Sequence, residues 1–151
     1  MYWYFVVAFW TGCRPSEIIA LTWQDVDFLN KQIHINKGRV NGVQQETTKT
    51  NKARFVDLND FAFEAFQQLR LLTYLKYEHV FICDETGEEF TTQKSLSEKF
   101  VASLKANGIR YRPAYNTRHT YATVCLMYGL NPVYVDSQIG YRLVMLMMRY
   151  A

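Results

Sequence analysis

The sequence predicts an α+β domain that is mainly α-helical and carries a small antiparallel sheet of about three strands. Apolar residues recur at helical spacing in several segments, which are bounded by helix-capping residues and glycines. Two segments, residues 31–39 and 53–58, instead alternate polar and apolar residues, as half-buried strands do. Hydrophobic residues make up 49% of the chain, which supports a folded core. We therefore expect one domain over residues 1–151.

The helices and strands are predicted in chain order from local signals. A buried helix opens the chain and closes near Gly12, and a second begins at Pro15 and Ser16 and runs to about Trp23. An Asn-Gly turn signal lies between the two strand segments and predicts a hairpin. Further helices are predicted over residues 61–75, 91–108, 115–129 and 131–140, with a last helix or turn over 142–150.

Composition excludes several classes of protein. No apolar run is long enough to span a bilayer, so no membrane association is expected. The three cysteines form no C-x-x-C pair, which argues against a zinc site or a disulfide framework and favours a reducing cytoplasm. The net charge of +3 is mild, but basic residues collect in residues 37–54 and 105–119. Such a distribution permits a nucleic-acid partner without requiring one.

Two arginine motifs are suited to binding phosphate. Arg14 lies at the start of a predicted helix beside Gly12, and Glu17, one turn later, is placed to hold it. Arg118 shares a helix face with Tyr115, three residues before it. Taken alone, the first motif is better explained by an ordinary Arg–Glu surface pair.

A lysine and two tyrosines complete the set of candidate functional residues. Lys49 lies in or beside the predicted hairpin, from which it could reach a phosphate. Tyr141 and Tyr150 are nine residues apart, which places them on opposite faces of one continuous helix. They converge only if the helix begins after Tyr141, as Gly140 allows. Tyrosine can act as a covalent nucleophile, whereas the simpler alternative is two tyrosines of the core.

Together, in this order and spacing, four segments resemble the catalytic domain of the tyrosine recombinases, the phage-integrase family, and among them prophage integrases. Residues 11–23 (TGCRPSEIIALTW) match the first motif of the family, and residues 49–58 (KTNKARFVDL) match the string that carries its hairpin lysine. Residues 115–119 (YNTRH) correspond to its His-x-x-Arg-His motif. Residues 139–150 (IGYRLVMLMMRY) end on a tyrosine at the spacing of the family's nucleophile.

The resemblance implies the fold of a DNA breaking-rejoining enzyme and site-specific recombination or integration through a 3′-phosphotyrosyl intermediate, with neither metal nor other cofactor. The implied catalytic residues are Arg14, Lys49, Tyr115, Arg118, Tyr141 and Tyr150, supported by Glu17 and His119. Basic residues expected to contact DNA are Arg39, Lys52, Arg54, Arg110 and Arg112. The implied partner is double-stranded DNA, on which the full-length protein assembles as a tetramer, whereas this chain alone is expected to be monomeric.

The sequence departs from the family at two positions and leaves two alternatives open. Tyr115 stands where many relatives have His, and Tyr141 stands where the family has His or, less often, Trp. One alternative is a catalytically silent, DNA-binding remnant of a prophage integrase. The other is a DNA relaxase of the type IB topoisomerase kind. An N-terminal DNA-clamping domain and a C-terminal tail, which relatives carry, are expected to be absent from this chain.

Overall fold

The computed structural model describes residues 1–46, 53–140 and 148, and it confirms the α+β class predicted from the sequence. The helices in the described ranges are α1 (Tyr2–Thr11), α2 (Pro15–Ile19), α3 (Asp60–Thr73), α4 (Lys94–Ala106), α5 (Asn116–Met127) and α6 (Pro132–Ile139). The strands are β1 (Val26–Asp27), β2 (Gln32–Ile35), β3 (Lys37–Val40), β4 (Val43–Glu46) and β5 (Arg54–Asp57).

Helix α1 lies at the centre of the core, as its apolar sequence predicts. It packs against α3 and α5, and its residues Val7 and Ala8 are buried. Gly12 ends the helix with a left-handed φ of 63°, and its N–H donates to the Ala8 carbonyl at 3.3 Å. The core continues into α2, β2, β5 and α3. The segment that follows Gly12 therefore packs against the buried apolar residues of the domain.

Helix α2 is shorter than predicted. It ends at Ile19, and Trp23 belongs instead to a 3₁₀ turn. The Asp25 carboxylate accepts hydrogen bonds from the Thr22 N–H at 2.8 Å and from the Thr22 hydroxyl at 2.7 Å. This local bonding starts a new turn at Thr22, because Asp and Thr side chains compete with the helix for backbone groups.

The β-structure comprises a sheet and a separate hairpin within the described ranges. Strands β1, β2 and β5 form a three-stranded antiparallel sheet in the order β1-β2-β5, whereas β3 and β4 pair only with each other. The strand predicted over residues 31–39 is therefore divided at Asn36 into β2 and β3. Beyond this division, Lys37 donates to the buried carboxylate of Asp25 at 2.6 Å, which draws β3 away from the sheet.

Helices α3 and α6 begin at asparagine caps, whereas α4 begins at Lys94, three residues after its predicted start and without a side-chain cap. The Asn59 side chain caps α3 by accepting from the Ala62 N–H at 2.9 Å, and Asn131 caps α6 in the same way. Gly140 closes α6 with a left-handed φ of 64°. The helix or turn predicted over residues 142–150 lies outside the described residues apart from position 148. Across the described ranges, no helix has the length and apolar character needed to cross a membrane.

A Gly12→Ala substitution is expected to destabilise the fold. A Cβ at Gly12 would lie 2.5 Å from Tyr121 Cδ1 and 2.9 Å from Ile139 Cγ2, and φ there is +63°. We expect a loss of about 2–4 kcal/mol in the free energy of unfolding, measured by urea denaturation. Gly108→Ala is the matched control, because its φ is +65° and a Cβ there meets nothing within 4 Å. Equal losses in the two variants would show that the contact with α5 and α6 is unimportant.

Candidate active site

Glu17 is a buried carboxylate held between two arginines. Its Oε1 accepts hydrogen bonds from Arg14 Nη1 at 2.8 Å and Arg54 Nη1 at 3.0 Å. Its Oε2 accepts from the Arg14 backbone N–H at 2.8 Å and from Arg54 Nη2 at 2.9 Å. Arg14 and Glu17 lie on the first turn of α2, whereas Arg54 comes from β5. One carboxylate therefore fixes two guanidinium groups from separate parts of the chain.

The electrostatics of this cluster keep Glu17 ionised. Burial by itself raises the pKa of a carboxyl group. For Glu17 the hydrogen bonds and positive charges of Arg54 and Arg14 outweigh burial, and the pKa of the carboxyl is lowered from its ordinary value. The negative charge is thus present at neutral pH and keeps both arginines in place.

Three arginines bind three successive carbonyl groups at the end of α6. Arg54 Nε donates to the Gln138 carbonyl at 2.8 Å, Arg118 Nη2 donates to that of Ile139, and Arg14 Nη2 donates to that of Gly140 at 3.2 Å. The last carbonyls of a helix lack partners within the helix and carry its partial negative charge. The cationic side chains satisfy these carbonyls and fix the position from which residue 141 departs.

Gly140 allows this close approach of the arginines. A Cβ at this position would lie 3.1 Å from Arg54 Nη1, which is tighter than most real contacts, and the backbone φ there is +64°. Glycine meets both requirements, because it has no Cβ and readily adopts positive φ.

Arg118 links the two backbone segments that frame the site. It lies on α5, its side chain is fully buried, and its Nη1 donates to the Gly12 carbonyl at 2.7 Å. Since its Nη2 donates to the end of α6, it joins the turn before Arg14 to the turn at Gly140. The two arginines predicted from separate motifs are therefore together, although 104 residues separate Arg14 from Arg118.

Arg14 is the more accessible of these two arginines. Its side chain is 23% exposed, and it borders a cavity of about 180 Å³ that Ser16, Arg39, Asn41 and Tyr115 also line. Tyr115 occupies the N-cap position of α5 and is partly exposed. The cavity gives an anion a route to the guanidinium group of Arg14.

His119 lies against Tyr115, one helical turn away. Their rings meet edge to face, with centroids 5.3 Å apart. His119 also borders a cavity of about 360 Å³ together with Arg112. The structure therefore places His119 beside the site, in contact with a predicted site residue.

Two of the residues expected to contact DNA are instead buried arginines that are held in ion pairs. The Arg54 side chain is 10% exposed and pairs with Glu17, and the Arg39 side chain is 6% exposed and pairs with Glu89 at 2.9 Å. The reason is long-range: each arginine meets a carboxylate far away in the sequence, and a buried guanidinium group needs such a partner.

The remaining predicted residues divide into two groups. Arg110 and Arg112 are exposed in the connection between α4 and α5. Lys49, Lys52, Tyr141 and Tyr150 lie outside the described residues.

Over residues 1–46, 53–140 and 148, no group of three or more His, Cys, Asp and Glu side chains is arranged to hold a metal ion.

Gln138 is a residue that the sequence analysis missed. It is buried, and its Oε1 accepts from the Asp57 N–H at 2.7 Å, so it joins the end of α6 to β5. No local pattern marks a glutamine for this task. Its partner lies 81 residues earlier in the chain.

Comparison with known proteins agrees with these observations. The model of the phage integrase family matches residues 2–151. Prophage integrase IntR of Escherichia coli K12 is 30% identical over 92% of this chain, and the putative defective protein IntQ of the same organism is 28% identical over 89%. The chain spans only 39% and 40% of the lengths of these two relatives.

Solved structures share the fold. The Tn1549 transposon integrase in complex with circular intermediate DNA superposes with a TM-score of 0.83, at 22% identity, over 99% of this chain and 55% of that one. The XerH recombinase bound to its difH substrate superposes with a TM-score of 0.73, also at 22% identity, over 99% of this chain and 42% of that one. The family match confirms the resemblance predicted from the four sequence motifs: the chain belongs to the phage integrase family, the tyrosine recombinases.

Proposed function

We propose that this chain is the catalytic part of a site-specific DNA recombinase that cuts and rejoins double-stranded DNA through a 3′-phosphotyrosyl intermediate on Tyr150. The observation that supports it most is the grouping of Arg14 and Arg118 at Gly140, where the chain leads on to Tyr150. Two guanidinium groups from separate motifs provide hydrogen-bond donors suited to the oxygens of one phosphate.

The proposed reaction uses only groups of the protein and the DNA. Tyr150 loses its phenol proton to solvent water, and its oxygen attacks the phosphorus. The bond from phosphorus to the 5′ oxygen breaks, and the ammonium group of Lys49 gives that oxygen a proton. Arg14 and Arg118 hold the negative charge that develops on the non-bridging oxygens. In rejoining, the neutral amine of Lys49 takes the proton of the 5′ hydroxyl of the exchanged strand, whose oxygen attacks the phosphorus. The bond from phosphorus to Tyr150 breaks, and the phenolate regains a proton from water. Because the covalent link conserves the bond energy, rejoining requires no ATP.

The donors of the two arginines are exchangeable in this mechanism. In the structure they bind peptide carbonyls at residues 12, 139 and 140. A phosphate oxygen is a stronger acceptor than a neutral carbonyl, so an entering phosphate competes for the same N–H groups. Glu17 stays in place during this exchange and keeps Arg14 correctly oriented.

Tyr115 and Tyr141 are proposed to orient the reacting groups. Each phenol can donate one hydrogen bond to a phosphate oxygen or to Tyr150. A phenol has an ordinary pKa of about 10 and therefore does not exchange protons near neutral pH as an imidazole does. His119, in contact with Tyr115, is proposed to support its position.

The proposed partner is duplex DNA, contacted around the site by Arg110, Arg112 and Lys52. The Tn1549 integrase and XerH structures hold those proteins in complex with DNA, which supports this assignment by fold. We further propose a cytoplasmic location, assembly of the full-length protein into a tetramer on DNA, and a monomeric state for this chain alone. Its affinity for DNA should fall steeply with salt, since phosphate contacts release counterions.

A catalytically silent, DNA-binding protein is the second candidate. Tyr141 at the position of a family His favours it, as does the similarity to a relative described as putatively defective. The two candidates differ in whether a covalent bond to DNA forms.

Tyr150→Phe is expected to abolish covalent linkage to DNA. The wild-type chain should form an SDS-resistant complex with a nicked suicide duplex, because loss of the short fragment prevents rejoining and traps the phosphotyrosyl bond. Tyr128→Phe is the control, since Tyr128 is 83% exposed at the end of α5, and it should retain the wild-type yield. A wild-type chain that binds the duplex but yields no covalent complex favours the silent protein.

Tyr141→His is expected to increase cleavage. An imidazole can donate and accept protons near neutral pH, and positioned acid–base groups commonly contribute about 10²–10⁴ in rate. We expect at least about a tenfold faster formation of the covalent complex. Tyr141→Phe, which lacks any polar group on the ring, should be no faster than wild type. An unchanged or lower rate for Tyr141→His would contradict the role assigned to this position.

A further inference from the structure

Arg39 and His79 are buried, and together with the exposed carboxylate of Glu89 they join the β3–β4 hairpin to a distant loop. Its Nη1 lies 2.9 Å from Glu89 Oε1 and 3.3 Å from the Phe90 carbonyl, and its Nη2 lies 3.2 Å from His79 Nε2. The His79 Nδ1 in turn lies 2.8 Å from Glu89 Oε2. Three side chains from three segments of the chain thus form a closed ring of contacts.

The protonation state of this ring follows from its geometry. Arginine only donates, so His79 Nε2 is an acceptor and the proton of the neutral ring lies on Nδ1, where it donates to Glu89. Burial is the main influence on the pKa of His79 and lowers it, with the Glu89 charge acting in the opposite direction. Because His79 is neutral, the ring contains one positive charge, on Arg39, and one negative charge, on Glu89, and the two balance each other.

Two further contacts fasten the same hairpin. At its turn, the Gly42 N–H donates to the Thr91 carbonyl at 2.9 Å. At its start, Lys37 Nζ lies 2.6 Å from Asp25 Oδ2 in a pair that is largely buried. The hairpin is therefore held at its start, along β3 and at its turn.

The location of the hairpin connects it to the proposed reaction. Its residues Arg39, Val40 and Asn41 line the cavity beside Arg14, and Gly38 lies against Ser16 of α2. Its second strand, β4, ends at Glu46, three residues before Lys49. Any change in the position of the hairpin therefore alters both the wall of the cavity and the origin of the segment that carries Lys49.

We propose that Arg39 is a positioning residue, which with Glu89 and His79 holds the β3–β4 hairpin so that Lys49 reaches the leaving 5′ oxygen. Arg39 itself does not contact DNA: its side chain is 6% exposed, and both terminal nitrogens have protein partners. This inference rests on the proposed function, because it assigns Arg39 to the proton-transfer step of that reaction.

The first test replaces the bridging 5′ oxygen of a nicked suicide duplex with sulfur. A thiolate leaves without being protonated, because a thiol is far more acidic than an alcohol, so the sulfur substrate does not need Lys49. The measured quantity is the ratio of cleavage rates, sulfur over oxygen, for each protein preparation. This ratio is independent of the fraction of molecules that are folded, so it remains informative for a destabilised variant.

Four variants are compared with wild type in this test. Lys49→Met should raise the ratio by about 100-fold, as loss of a general acid does. Arg39→Met and Glu89→Gln should each raise it at least about tenfold, whereas Arg110→Met should leave it unchanged. If the ratio stays at the wild-type value in either Arg39→Met or Glu89→Gln, the inference is overturned. A wild-type chain that cleaves neither substrate instead overturns the proposed function, and the inference with it.

The second test separates positioning from DNA contact. The affinity for an intact duplex is measured at several salt concentrations, and the slope of log K against log salt reports the number of phosphate contacts. Arg110→Met should reduce the magnitude of the slope by about one, whereas Arg39→Met should leave it at the wild-type value. A reduction of about one in Arg39→Met would place Arg39 on a phosphate and overturn the inference.

Discussion

The Glu17 carboxylate is buried between Arg14 and Arg54, and each of its oxygens accepts two hydrogen bonds. Two guanidinium groups this close repel each other unless a negative charge lies between them, and a buried charge without a partner is costly. Both conditions are met by one side chain on the first turn of α2. The positions of α2 and β5 relative to each other therefore depend on this ion pair as well as on the apolar core beneath it.

Arg14 and Arg54, together with Arg118, also bind the end of α6. Arg54, Arg118 and Arg14 bind the carbonyls of residues 138, 139 and 140 in turn, so that positive charge collects where the helix is most negative. In the proposed reaction, an entering phosphate takes over hydrogen-bond donors of Arg14 and Arg118. Glu17 already orients the guanidinium group of Arg14, which is the more accessible of the two. The buried guanidinium group of Arg39, paired with the exposed carboxylate of Glu89, fastens the β3–β4 hairpin at the cavity that Arg14 also lines.

Most of the fold was predictable because its signals are local. Helical periodicity, the Asn59 and Asn131 caps and the glycine stops require only neighbouring residues, and the structure has helices at each of these places. The division of the predicted strand at Asn36 depends instead on Lys37 reaching Asp25. Within the site, the spacing of Arg14 and Glu17 is a feature of one helical turn and was visible in the sequence. The sequence predicts DNA contacts for Arg54 and Arg39, because their carboxylate partners lie 37 and 50 residues away and leave no local sign. Pairing over such distances is fixed by packing, and a run of basic residues does not reveal it.

A double-mutant cycle on Glu17 and Arg54 tests the dependence on this ion pair most directly. The free energy of unfolding in urea is measured for wild type, Glu17→Gln, Arg54→Met and the double variant. Each single change leaves a buried charge without its main partner and should cost about 3–5 kcal/mol. The double variant should be more stable than the sum of the single losses predicts, by about 1–3 kcal/mol. Strictly additive losses would contradict the account, because they would mean that Glu17 and Arg54 stabilise the fold independently of each other.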